Sequence, residues 1–160
     1  WVDSAIDRFR APFDAVVAEA GRMAAYLVTE SLPVAPRDPV VPGSRSAGYA
    51  QLVFMNRPHR FRPDQWLDYW FNHHTHRAIA DHRCSFYGQN VVVRPLSHGA
   101  PRYDAIVEEI YPLAALRDPQ SGYRPGADIA AYQASAVQMI DPARIDVIAT
   151  SQYMFRRPYG

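Results

Sequence analysis

Trp66-Leu67-Asp68-Tyr69-Trp70-Phe71-Asn72-His73-His74-Thr75-His76 is the stretch on which the fold turns. Three of the six histidines stand directly behind a dense aromatic run. Pro63 fits the first turn of a helix, Asp64 adds favourable charge there, and the helical pattern runs to about Arg83. Residues three and four apart share a helix face, so Leu67, Trp70, Phe71, His74 and Ala78 form one stripe, expected to face a sheet. Trp66, Tyr69, His73 and Arg77 lie on the adjacent flank.

Outward from this helix the pattern alternates. Tyr49 to Met55 reads as an apolar strand before it, and Ser85 to Arg94 as a strand after it, with Val91-Val92-Val93 at its centre. Tyr103 to Tyr111 is a further strand with a polar interruption at Glu108-Glu109. A second helix lies within Asp128 to Ile140, and Asp146 to Phe155 is the last strand. The order β-α-β-β-α-β predicts an α+β, ferredoxin-like module: a four-stranded antiparallel sheet with two helices on one face.

The N-terminal part reads separately. Asp3 to Ala20 has helical spacing, with Ile6, Phe9, Phe13, Val16, Val17 and Ala20 as its stripe and Gly21 as its stop. Met23 to Leu32 reads as a strand. Pro33 to Ser46 carries four prolines, a glycine and two serines, which predicts a linker without regular structure. The run Arg22 to Glu30 loosely repeats Arg144 to Gln152: in both, an arginine joins a helix to a strand that ends in polar residues. On that reading residues 1–34 are the last helix and strand of a first, incomplete module, 35–47 are linker, and 48–157 are a complete module. The first strand then needs partners that this chain does not contain. The start at Trp1, without an initiator Met, reads as processing or as part of a longer polypeptide.

Composition narrows the chemistry. The chain has 160 residues, 48% apolar and 21% charged, which suits one well-cored domain. No apolar run is long enough to cross a bilayer and no leader is evident, so a cytoplasmic protein without membrane contact is expected. A net charge of +1 gives no footprint for nucleic acid. Every basic residue is arginine, which removes a Schiff base, a pyridoxal phosphate anchor and a P-loop. The single Cys84 excludes an internal disulfide and a multi-cysteine zinc site.

Three segments together resemble the EthD family of the dimeric α/β-barrel superfamily. They are Leu52-Val53-Phe54-Met55-Asn56-Arg57-Pro58, the helix opening Phe61 to Trp70, and His73-His74 followed by Tyr87-Gly88-Gln89-Asn90-Val91-Val92. The resemblance covers about residues 48–155, and the repeat fits members with two modules in tandem. It implies two ferredoxin-like sheets paired into one barrel, by homodimerisation or with a missing N-terminal module. It also implies a cavity between sheet and helices for a small hydrophobic compound. Members of the superfamily include cofactor-independent monooxygenases, polyketide cyclases, lactone isomerases and haem-dependent enzymes, and EthD-like proteins are associated with degradation of ethers.

His74 corresponds to the family's histidine and, on the sheet-facing stripe, is the candidate proton donor or acceptor, against the alternative of a core histidine bonded to a carbonyl. One of Glu108 and Glu109 must face the helices, and periodicity does not say which; Glu108 is taken as the carboxylate assisting His74, with Tyr69 as a further catalytic candidate. Phe54, Trp70, Phe86, Asn90 and Tyr103 are the candidate substrate contacts; Asn90 draws interest because Asn is disfavoured in mid-strand. His73 and His76 are expected at the surface, no metal site or other cofactor is expected, and Cys84 is expected to be inert. The inventory suits oxidation of a small hydrophobic oxygenated compound or a proton-transfer cyclisation or lysis. A non-catalytic small-molecule-binding or accessory protein is the alternative, and a structural half-barrel a third.

Overall fold

The computed structural model describes residues 1–2, 4–36 and 41–155. Asp3, the expected start of the first helix, part of the linker (37–40) and the end of the module (156–157) lie outside the described residues. The elements in order are α1 (Asp7–Glu19), β1 (Tyr26–Val34), β2 (Tyr49–Met55), α2 (Pro63–Tyr69), a π-helical turn (Trp70–His74), α3 (Thr75–Asp81), β3 (Phe86–Pro95), β4 (Ala105–Tyr111), α4 (Ile129–Met139) and β5 (Ile145–Thr150). Two short 3-10 turns, Leu113–Leu116 and Pro119–Gly122, come after β4.

The sheet has five strands in the order β1-β3-β4-β2-β5, and each neighbouring pair is antiparallel. Without β1 the order is compatible with the split-βαβ arrangement that the pattern predicts. The expectation that the first strand lacks partners is overturned: β1 pairs along β3, with Thr29 opposite Val91 and Glu30 opposite Asn90. The backbone groups of β1 find their ladder inside this chain. Pro33, expected in the linker, belongs to β1. An edge strand tolerates the missing N–H because one side of its ladder is open, and the register shifts between Ser31 and Val34. At the other edge β5 stops at Thr150, short of the expected Phe155; beyond it Tyr153 makes only an isolated bridge to Arg45.

Register sorts the two sheet faces. Met55, Tyr87, Ala105, Val107 and Tyr111 share one core with Trp66, Trp70 and Ala78 of the long helix and Met139 of α4, so both helices cover that face. Ala50, Phe86 and Ile110 form a second, smaller cluster on the opposite face, with Leu32 against it. Trp70 is fully buried and Trp66 donates its indole N–H to the Met139 carbonyl at 2.7 Å, which pins the long helix to the end of α4. Truncating either ring would cost about 3–5 kcal/mol.

The long helix is not uniform, and this changes its faces. In the turn Trp70–His74 the Thr75 N–H reaches the Trp70 carbonyl, five residues back, and the Thr75 hydroxyl donates to the same carbonyl at 2.7 Å. An inserted π turn rotates the residues beyond it relative to a plain α-helix. The buried stripe is therefore Trp66, Trp70, His74, Thr75 and Ala78, while Leu67 and Phe71 are only half-buried. Trp66, assigned to the flank by regular spacing, is core.

α1 departs from expectation in a different way. Its helix lies within the expected span but starts at Asp7, Ser4 to Ile6 being non-helical; Gly21 has the positive φ of a stop, and the apolar stripe is uncovered. Ile6, Phe9, Phe13, Val16 and Val17 are all more than half exposed. The buried residue of α1 is Arg10, flanked by Asp7 at 2.9 Å and Asp14 at 3.2 Å.

Candidate functional site

The expected residues fall into three places, separated by the sheet. On the helix-covered side, His74 and Tyr69 meet at one residue of α4. His74 Nδ1 lies 3.1 Å from the Ser135 hydroxyl and the Tyr69 hydroxyl lies 3.3 Å from the same oxygen. His74 is 4% exposed, and burial pulls its imidazole down to about 4; the Glu109 charge opposes this and His82 adds to it. It is held neutral among packed groups. Tyr132, its ring 5.3 Å from His74, also lies 4.2 Å from the ring of His82. His73 and His76 are exposed, as expected.

His82 leads to the carboxylate that faces the helices. Its Nδ1 stands 3.0 Å from Glu109 Oε1 and 2.6 Å from the Tyr111 hydroxyl, all three side chains being buried. One ring nitrogen thus meets both the carboxylate and the phenol, donating or accepting according to its tautomer. Burial, followed by the charge of Glu109, raises the hydroxyls of Tyr87, Tyr111, Tyr123 and Tyr132, which are neutral donors at ordinary pH. Burial also pushes the Cys84 thiol up to about 12, so it is a thiol rather than a nucleophilic thiolate. These buried side chains form a polar network in the core.

Glu108 is not part of it. Alternation along β4 puts Glu109 with Val107 and Tyr111 toward the helices, and Glu108 with Ile106 and Ile110 on the opposite face. The pairing of His74 with Glu108 is thus corrected: the sheet stands between them. Glu108 instead accepts from the Trp1 indole at 2.6 Å and from the Gln152 amide at 2.9 Å. Phe86, Asn90 and Phe54 share that outer face, and Ile106 stands between Asn90 and Phe54 in register. Asn90 is 1% exposed, and neither atom of its amide has a hydrogen-bond partner among the described residues. Trp70, on the helix side, is remote from these three. The expected substrate contacts do not form one pocket.

Two clefts of ligand size do exist. One, of about 380 Å³, lies beside the π-helical turn and is walled by β1, β3 and the long helix. Phe71 and Pro33 are its apolar lining and Thr29, Glu30, Ser31, Thr75 and Gln89 its polar lining, of which the last three are wired together. The Ser31 hydroxyl donates to Gln89 Oε1 at 3.1 Å, and Gln89 Nε2 donates to Thr75 Oγ1 at 2.7 Å and to the Tyr87 hydroxyl oxygen at 3.0 Å. The Thr75 hydroxyl in turn donates to the carbonyl of Trp70 in the π turn. The second cleft, also about 380 Å³, lies across the outer face and brings together Phe54 and Tyr103 of the expected set with Tyr26 and Asp146.

Sequence reasoning missed His82, Ser135, Thr75, Gln89 and Asp146, and took Glu108 where Glu109 is the carboxylate that faces the helices. His82 extends the four-residue spacing of Trp70, His74 and Ala78, a signal that was available. Gln89 and Thr75 carry none, because the π turn that joins them has no mark in the spacing. Comparison of the chain with protein-family models, with curated proteins and with solved structures returns no match.

Proposed function

We propose that this chain is an EthD-like protein that binds a small hydrophobic oxygenated organic compound in the cleft beside the π-helical turn. The carrying observation is the hydrogen-bonded chain Ser31–Gln89–Thr75–Trp70 along a cleft that Phe71 and Pro33 also line. An apolar ring against Phe71 and an ether, carbonyl or hydroxyl oxygen at the Gln89–Thr75 pair is the pose these groups favour, the amide and hydroxyl orienting the oxygen and Phe71 covering the ring. The cleft lies between sheet and helix, where the resemblance to EthD proteins leads one to look.

Binding without catalysis has the stronger support in this cleft. No histidine lines it among the described residues, and His74 faces α4. The second reading is a proton-transfer enzyme or cofactor-independent oxidoreductase, favoured by the buried His82–Glu109–Tyr111 network. On that reading the helices part from the sheet to admit substrate. We further propose that the chain pairs with a second sheet, as homodimer or with another module, burying the bare stripe of α1. An apolar surface of that kind marks an interaction site.

Titration with 2-phenoxyethanol, followed by amide NMR and by mass spectrometry of the compound under air, separates these readings. Saturable shifts centred on Phe71, Thr75 and Gln89 that vanish in Gln89→Leu, with the compound unchanged, support the binding protein. Product formation abolished by His82→Gln supports the enzyme. Shifts that survive Gln89→Leu and Phe71→Ala would refute the cleft assignment.

A further inference from the structure

The cleft on the outer face has a chemistry of its own, independent of the cleft beside the π turn. Phe54 of β2 and Asp146 of β5 are direct cross-strand partners, which puts an aromatic ring and a carboxylate side by side on one face. Tyr103 crosses over both. Its ring centroid lies 5.2 Å from that of Phe54 at 47°, and its hydroxyl donates to Asp146 Oδ2 at 2.6 Å. Tyr26 reaches the same place from β1: its ring lies 6.2 Å from Tyr103 at 60°, and its hydroxyl is anchored on the Pro101 carbonyl at 2.8 Å. Asp146 is thus oriented by a neutral donor and faces no cation among the residues that line the cleft. Its other oxygen, Oδ1, takes no hydrogen bond among the described residues. Ile148 completes the apolar rim.

We propose that this cleft is a binding site for an organic cation, a quaternary or alkylated ammonium group, held by the π faces of Tyr26, Phe54 and Tyr103 and by the Asp146 carboxylate. Three rings offer negative quadrupole faces to a soft, weakly hydrated positive charge. A neutral apolar ligand would cover the carboxylate and strip its water without replacing it; a cation compensates the charge it desolvates. An anion is repelled. Tyr103 locks the carboxylate in place before binding, so little side-chain freedom is lost when the ligand arrives.

The probe is choline, with its uncharged isostere in which carbon replaces the quaternary nitrogen as control, each titrated into the full chain and followed by amide NMR. Choline should give saturable shifts centred on Phe54, Tyr103 and Asp146, binding at least about tenfold more tightly than the isostere and weakening as salt is raised. Asp146→Asn and Phe54→Leu should each weaken choline several-fold. The first keeps an acceptor for the Tyr103 hydroxyl at an exposed site, and unchanged thermal melting confirms that the variant folds. Equal affinity for choline and isostere would overturn the proposal and leave a plain apolar cleft. So would the absence of saturable choline binding, which leaves the oxygenated ligand beside the π turn untouched, or shifts confined to Phe71, Thr75 and Gln89, which would place choline in that other cleft.

Discussion

His74→Asn should flatten the acid side of this protein's stability curve. The imidazole titrates near 6.5 in the unfolded chain and at about 4 in the folded one, because burial disfavours its charged form. Above pH 6.5 both states hold it neutral, and it adds nothing to the pH dependence. As pH falls from 6.5 toward 4 the unfolded chain takes up a proton that the folded chain refuses, so stability drops; below about 4 both bind it and the loss levels off. At about 1.4 kcal/mol per pH unit the full loss is roughly 3 kcal/mol, of which about 2 kcal/mol has gone by pH 5. With 4% exposure there is little solvent screening to reduce this. Asparagine places an amide near the position of Nδ1, within reach of Ser135, and has no proton to gain. Its packing defect is a pH-independent offset. Urea unfolding followed by tryptophan fluorescence at pH 7.5 and pH 5 measures both proteins. The wild type should lose about 2 kcal/mol more than the variant over that interval. Equal losses would mean that His74 is protonated without cost in the folded state, and the buried, neutral assignment would be wrong.

Asn90→Leu should stabilise the protein by about 1–2 kcal/mol, because it replaces a fully buried amide with no partner by an apolar side chain of similar size; a lower melting temperature would mean that water or another group satisfies the amide. Gly48→Ala should destabilise by about 2 kcal/mol or more in chemical denaturation. Gly48 has φ +104°, and an added Cβ would stand 2.1 Å from the Tyr111 carbonyl oxygen. A variant as stable as the wild type would refute that close approach of the start of β2 to the end of β4.

Sheet and helices were legible because their signals are local. Tyr49–Met55 is a bounded apolar run, and it is β2 residue for residue. The helix expected within Asp128 to Ile140 is α4, and the Asp128 carboxylate caps it by accepting the Ala131 N–H at 3.0 Å. What failed were relations that periodicity does not encode. Glu108 and Glu109 alternate whichever way the strand is turned, so only the packed sheet shows that Glu109 meets the helices. β1 could be recognised as a strand but not assigned a neighbour, because pairing along β3 depends on contacts more than fifty residues apart in sequence. The π turn is the subtlest case: one inserted residue leaves His74 buried against α4 and sets Thr75 beside Gln89.

That single insertion also decides what the aromatic helix does. On a plain α-helix Phe71 and His74 would share the sheet-facing stripe, and a ligand against Phe71 would meet an imidazole. With the π turn, Phe71 and Thr75 border the cleft while His74 turns to Ser135 and loses its charge to burial. The imidazole is therefore withdrawn from the cleft that Phe71 and Thr75 line. A π turn costs helix geometry, and such turns are found most often where a side chain must be re-aimed at a functional site. Here the re-aimed side chain is Thr75. Its hydroxyl satisfies the strained carbonyl of Trp70 and accepts from Gln89 at once, which ties the turn to the polar wall of the cleft. The π turn thus separates the histidines that make this helix conspicuous from the cleft beside it.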